Sequence, residues 1–179
     1  MKIISVPDPV LTSPSQTITS FDKRLTTLLS DMKHALLGTK NPKGVGLAAP
    51  QIGAPYRVFI TRPTEKSPIR VFINPEIIKK SGTLTEGVPE RENKLEGCLS
   101  IPKIWGKVKR ATSLTLRYDN EQGTSHEEAF DGFMATIIQH ETDHTNGTLF
   151  THRVLEQKGK LYETTKDTEG KEVLEEIHI

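Results

Sequence analysis

This chain predicts a single domain that mixes α-helix with antiparallel β-hairpins. Two stretches carry apolar residues at helical spacing. Two pairs of β-rich runs are each joined by a polar loop. The length, 179 residues and 20.0 kDa, suits one core, because a domain near this size buries roughly 70% of the surface its unfolded chain exposes. Residues 1–179 therefore read as one domain, with a charged tail from about residue 156.

The first helix follows Ser20. Leu25, Leu28, Leu29, Met32 and Leu36 recur at spacings of three and four, forming one apolar stripe. Ser20 or Thr19 is its expected cap, and Gly38 and Pro42 end it. His34 falls off the stripe and reads as a surface residue. Tyr56 to Thr61 and Ile69 to Ile73 read as strands joined by a polar loop, and Asn74-Pro75 should turn the chain. Residues 79 to 94, rich in charge and broken by Gly82, Gly87 and Pro89, read as a long exposed excursion. Thr112 to Tyr118 and Ser125 to Phe130 form the second strand pair around a turn at Asp119 to Gly123.

The second helix runs from about Gly132 to Thr145, with Asp131 as N-cap and Gly147 as the stop. Thr136-Ile137-Ile138 is β-branched and a poor helix former, so burial must hold this helix together. Beyond Glu156 the tail is acidic, and Val173, Leu174 and Ile177 suggest a short last strand.

Composition excludes several functions. Lysine plus arginine number 24 against 23 acidic residues, so no global charge bias points to DNA or to an acidic membrane surface. No run approaches the roughly 20 apolar residues of a membrane span. The single cysteine, Cys98, rules out an internal disulfide and any two-cysteine zinc motif, and fits a reducing compartment. The N-terminus carries no signal-peptide pattern, so a cytoplasmic location is expected, and an organelle form with a trimmed transit peptide stays compatible with the sequence.

His140-Glu141-Thr142-Asp143-His144 carries the strongest chemistry. Histidines at i and i+4 of a helix project from one face and can share a metal ion. The glutamate, one residue on, is left free to act as a base. A chain of this composition is expected to contain about 0.02 such matches by chance. Catalytic sites of this kind use three protein ligands and one open position. A protease of the H-E-x-x-H-x-x-G-x-x-H type would find its third histidine at the position that holds Phe150. The other candidate is Cys98, in Glu96-Gly97-Cys98-Leu99-Ser100. One cysteine and two histidines suit Fe(II), Zn, Co or Ni.

Gly44-x-Gly46-x-x-Ala49 formally matches a dinucleotide-binding pattern. Helical residues precede it, however, and Pro50 follows where a helix should run. It reads better as extended backbone that a substrate can approach closely, with Gln51 as an amide donor.

Taken together, Gly44-Val45-Gly46-Leu47-Ala48-Ala49-Pro50-Gln51, Glu96-Gly97-Cys98-Leu99-Ser100 and Gln139-His140-Glu141-Thr142-Asp143-His144 resemble the peptide deformylase family in order, spacing and content. The resemblance runs from about Ile4 to Val154. It implies an α+β fold with a metal-binding helix surrounded by antiparallel β-sheets. It also implies removal of the N-formyl group from the formylmethionine of newly made polypeptides, releasing formate. Carried over residue by residue, it makes Cys98, His140 and His144 the metal ligands and Glu141 the general acid and base. Gln51 and the backbone N–H of Leu99 become the oxyanion donors. Val45, Gly46 and Gly97 line the substrate groove, and Val45 with Ile137 receives the methionine side chain. The implied cofactor is one divalent metal ion, Fe(II) in cells, with Ni, Co or Zn in preparations.

N-formylmethionyl nascent peptides are the implied partners. A transient ribosome contact is a further one, although the acidic tail does not resemble the basic C-terminal helix with which some bacterial members dock. Thr142 and Thr145 stand where the family has larger apolar residues, an expected looseness behind the helix. Trp105 and the 79–94 excursion are expected to reshape the groove rim. Asp143 and Arg110 are a candidate supporting pair. Two alternatives remain. Another hydrolase of the His-Glu-x-x-His type would not need Cys98. A non-catalytic relative that binds formyl-peptides or ribosomes would not need Glu141.

Overall fold

The computed structural model describes residues 2–178. In chain order its elements are helix α1 (Lys23–Leu37), strands β1 (Gly46–Ala48), β2 (Val58–Thr61), β3 (Arg70–Lys80), β4 (Glu96–Cys98), β5 (Ile101–Gly106), β6 (Ser113–Asp119) and β7 (Ser125–Asp131), helices α2 (Gly132–Thr145) and α3 (Phe150–Glu156), and strands β8 (Leu161–Lys166) and β9 (Glu172–Ile177). All pairings between these strands are antiparallel. One sheet has the order β1-β2-β3-β6-β7 and the other β4-β5-β8-β9, which makes the fold α+β as expected.

The period-2 alternation of strands explains how the helices take their places. Val58 and Ile60 of β2 join Leu25, Leu29, Met32 and Leu36 of α1 in one core cluster. Phe59, between them in sequence, joins Phe72, Leu116, Ala135 and Ile138 in another, with α2. The five-stranded sheet is therefore covered on both faces, and β2 is buried at every position. Phe59 and Phe72 stack with ring centroids 4.8 Å apart, and each fully buried ring contributes about 1.5–3 kcal/mol. A third cluster of Leu11, Ile101, Val108, Phe150, Val154 and Leu161 ties α3 to the second sheet. Cys98 of β4 belongs to it, and its Sγ also reaches His144 of α2.

Several local expectations are corrected. Asp22, not Ser20 or Thr19, caps α1, its carboxylate accepting from the N–H groups of Arg24 and Leu25 at 2.8 and 3.3 Å. Asn74-Pro75 does not turn the chain. β3 passes through it with a bulge, Asn74 at φ +50° holding the backbone of Ile18 through its side chain. The small-residue segment 44–51 is extended as expected over the short edge strand β1, and only then closes into a 3-10 turn. The 79–94 excursion is not wholly exposed: β3 extends to Lys80, and Thr85 and Val88 are buried. The acidic tail forms the β8–β9 hairpin, and α3 follows α2 where no separate helix was expected.

Helix α2 begins and ends as its sequence predicts, although Asp131 makes no side-chain cap bond. Gly147 holds φ +72°, and a Cβ there would meet the backbone carbon of Ser13 at 2.7 Å, so only glycine lets the chain turn beneath the N-terminal segment. Gln139 fixes the helix sideways. Its amide donates to the carbonyl of Ala111 at 2.9 Å and accepts from the N–H of Ala111 at 3.1 Å. Thr142 and Thr145 are both buried, and the Thr145 hydroxyl donates to the Thr142 carbonyl at 2.9 Å.

Candidate metal centre and its cleft

Three donors converge where α2 faces β4. Cys98 Sγ and His144 Nε2 lie 3.1 Å apart, and the donor atoms of Cys98, His140 and His144 all lie within 4.8 Å of one another. Bonds of about 2.0–2.3 Å from one tetrahedral ion would place its ligands roughly 3.5 Å apart, so the spacing fits a single ion. The donor chemistry fits as well, one sulfur with two imidazoles.

A buried charge network holds the ligands. His140 Nδ1 lies 2.5 Å from Glu96 Oε1, which leaves Nε2 as the free ring nitrogen. Arg110 spans both Glu96 oxygens, through Nη2 at 2.6 Å and Nε at 2.8 Å, and reaches Asp143 through Nη1 at 3.0 Å. Arg153 of α3 grips Asp143 from the other side at 2.7 and 3.2 Å. The expected Arg110–Asp143 pair is thus one link of a longer chain. Burial alone would raise the Glu96 pKa, but Arg110 and His140 outweigh it and hold the carboxyl well below its usual range. Burial draws the His144 pKa down, so its ring is neutral and able to ligate.

Glu141 is 3% exposed, and its Oε2 has no hydrogen-bond partner. Burial is the main cause that pushes its pKa up to about 7. Gly46 lies against this carboxylate so closely that any Cβ at residue 46 would overlap it. The missing side chain at residue 46 thus makes room for the Glu141 carboxylate.

Gln51 is oriented by its own neighbourhood. Its Oε1 accepts from the Ala48 N–H at 2.9 Å, which turns Nε2 towards Cys98 Sγ at 3.5 Å and Ser100 Oγ at 3.2 Å. One cleft brings together the expected Val45, Gly46, Gln51, Gly97, Cys98 and Leu99. Ile137, His140 and Glu141 line the same cleft, and His144 is buried behind Cys98. Sequence reasoning did not single out Glu96 or Arg153, nor Phe133, Thr136 and Arg91 on the cleft wall. Glu96 lies inside the cysteine motif, and its position two residues from a ligand was the available signal. Among the described residues, no helix is long and apolar enough to cross a membrane.

Comparison with known proteins agrees with this geometry. The polypeptide deformylase family model matches residues 1–160. A peptide deformylase of Pseudothermotoga lettingae is 41% identical over 149 residues, 83% of this chain and 80% of that one. Peptide deformylase 1 of Bacillus subtilis is 40% identical over 153 residues, covering 86% and 89% of the two chains. Among solved structures, the Thermotoga maritima peptide deformylase superposes with TM-score 0.74 at 33% identity, covering 84% of this chain and 95% of the other. The Plasmodium falciparum enzyme in complex with an inhibitor also gives 0.74, at 34% identity, covering 87% and 92%. With the family model spanning most of the chain and the Cys-His-His cluster in place, this protein belongs to the peptide deformylase family.

Proposed function

We propose that this chain is a metal-dependent hydrolase that removes the formyl group from N-formylmethionyl peptides and releases formate. The observation that carries the reading is the convergence of Cys98, His140 and His144 beside a buried, unpartnered Glu141. Cys98, His140 and His144 would hold one divalent ion, with Fe(II) as the cellular metal and Ni, Co or Zn as substitutes. When bound, such an ion supplies Lewis acidity and lowers the pKa of water.

The remaining steps belong to the chain. Glu141, with a pKa near 7, is poised to take a proton from the attacking water and to return it to the leaving amine. Gln51 Nε2, held in place through Oε1, and the N–H of Leu99 donate to the oxyanion that forms on the formyl oxygen. β1 is the outermost strand of its sheet, so the peptide backbone can pair with Gly44 to Leu47 as an added strand. Gly46 and Gly97 line the path of that backbone, and the methionine side chain enters between Val45 and Ile137. Nascent chains in the cytoplasm are the proposed substrates.

The test is formate release from a formyl-Met tripeptide. Protein is loaded anaerobically with Fe(II) or Ni(II), beside a Glu141→Ala control carrying the same metal. Turnover by the parent and none by the control is the expected result. Absence of turnover by folded, metal-loaded parent would sink the reading and favour a formyl-peptide binder.

A further inference from the structure

The cleft does not end at the metal centre. Arg91 lines it and also lines a depression outside it, together with Pro42, Glu92, Asn93 and Trp105. Its guanidinium carbon lies 5.6 Å from the centroid of the Trp105 ring, and Nη1 donates to the Leu95 carbonyl at 3.0 Å. Trp105 is itself fixed. Its indole N–H donates to Thr164 Oγ1 of β8 at 2.8 Å, and its ring lies so near Gly97 that a Cβ there would come within 2.6 Å. Arg91 is thus a half-buried cation on a rigid platform. Among the described residues it has no carboxylate within ion-pair distance, whereas Lys43, which lines the same cleft, pairs with Glu65.

A second arm of the groove leaves past Leu99 and Trp105 and carries Lys40 and Lys103, both exposed and equally unpaired among the described residues. Three free cations around one mouth, in a chain whose net charge is only +1, form a local positive field. A cation that is partly desolvated and left without a carboxylate is stabilised by an incoming anion. Burial lowers the Arg91 pKa, and the charge of Glu96, beyond ion-pair distance, offsets only part of that effect.

We infer that Arg91, set on Trp105 at the mouth of the cleft, selects peptides that carry Asp or Glu immediately after the formylmethionine. The inference rests on the deformylation reading. The peptide leaves the metal centre along Gly44 to Leu47, so the residue after methionine emerges between Pro42 and Arg91. There a carboxylate meets the guanidinium, with Lys40 and Lys103 adding to the field. A lysine at that position meets repulsion. Glu92 shares the outer depression, and Glu96 and Glu141 lie deeper in the cleft; these acidic side chains work against the preference.

The experiment compares formyl-Met-Glu-Ala-amide, formyl-Met-Gln-Ala-amide and formyl-Met-Lys-Ala-amide as substrates of metal-loaded protein. The amide ends remove the terminal carboxylate as a competing anion. The expected kcat/KM ratio of the Glu to the Lys peptide is about tenfold near 0.05 M salt and shrinks near 0.5 M salt. Arg91→Gln should bring the ratio below about threefold, and Arg91→Lys, which keeps the charge, should retain most of it. Equal rates on all three peptides, preference for the Lys peptide, or a ratio unmoved by Arg91→Gln would each overturn the inference. The parent protein's own ratio decides the matter if the variant fails to fold. Formate from none of the peptides would overturn the deformylation reading and this inference with it.

Discussion

Glu96 Oε1 lies 2.5 Å from His140 Nδ1 while the same carboxylate receives both arms of the Arg110 fork. A single side chain therefore sets the direction of one ligand and anchors the charge network behind it. Partners of this kind raise ligand basicity, and losing one typically costs about 10–100-fold in metal affinity. Glu96→Gln keeps the shape but weakens the acceptor. Competition against a chelator should show metal affinity falling by about that range.

Arg110 is 5% exposed, and Glu96 and Asp143 depend on it. Arg110→Leu would leave the buried Glu96 without its guanidinium, while Asp143 would keep Arg153. Removing one partner of a buried pair costs about 3–5 kcal/mol, so the variant should show a large drop in the urea midpoint at neutral pH. Part of that loss should return on acidification, once the Glu96 carboxyl, no longer held down by Arg110, protonates. A variant as stable as the parent at pH 7 would contradict this account.

Glu141 gives the metal-free protein a pH dependence of definite sign. Its folded pKa, about 7, lies above the ordinary 4.5, so between those values the native state binds more protons than the unfolded one. Stability should then fall as pH rises through that window, by about 3 kcal/mol at the upper end. Glu141→Gln carries no charge and should flatten this slope in urea titrations of metal-free protein. In the metal-loaded enzyme the same variant should keep its metal and lose about 10²–10⁴ in kcat.

Gly46→Ala offers a test that leaves every donor in place. The added methyl would occupy the space of the Glu141 carboxylate and push the acid aside. Metal content should be unchanged, while kcat should fall by about 10² or more. Retention of full activity would show that Glu141 has more room than its packing implies.

Much of this site was legible in the sequence because its chemistry is local. The i and i+4 histidines, the adjacent glutamate and the cysteine motif each lie within a few residues, and helix geometry alone places His140 and His144 on one face. The strands around β2 and β6 were legible for the same reason, the first through local enrichment in Val, Ile and Phe and the second through short-range alternation. What escaped was settled by distant partners. Arg153 reaches Asp143 from another helix, and nothing in its neighbourhood announces that contact. Asn74-Pro75 looked like a turn because both residues favour turns. The bond from Ile18 to the Asn74 side chain keeps the chain on its strand course. The 79–94 segment looked loose because its charges hid Thr85 and Val88, which the fold buries.

The position of β1 at the sheet margin has a cost as well as a use. An outermost strand offers unpaired N–H and C=O groups to any extended chain, including a second copy of the same protein, and is the usual starting point for aggregation. Here the strand is only three residues long, and Pro42 and Pro50 stand on either side of it. A pairing ladder that short cannot propagate. The opening is wide enough for the first residues of one peptide and too narrow to seed a fibre.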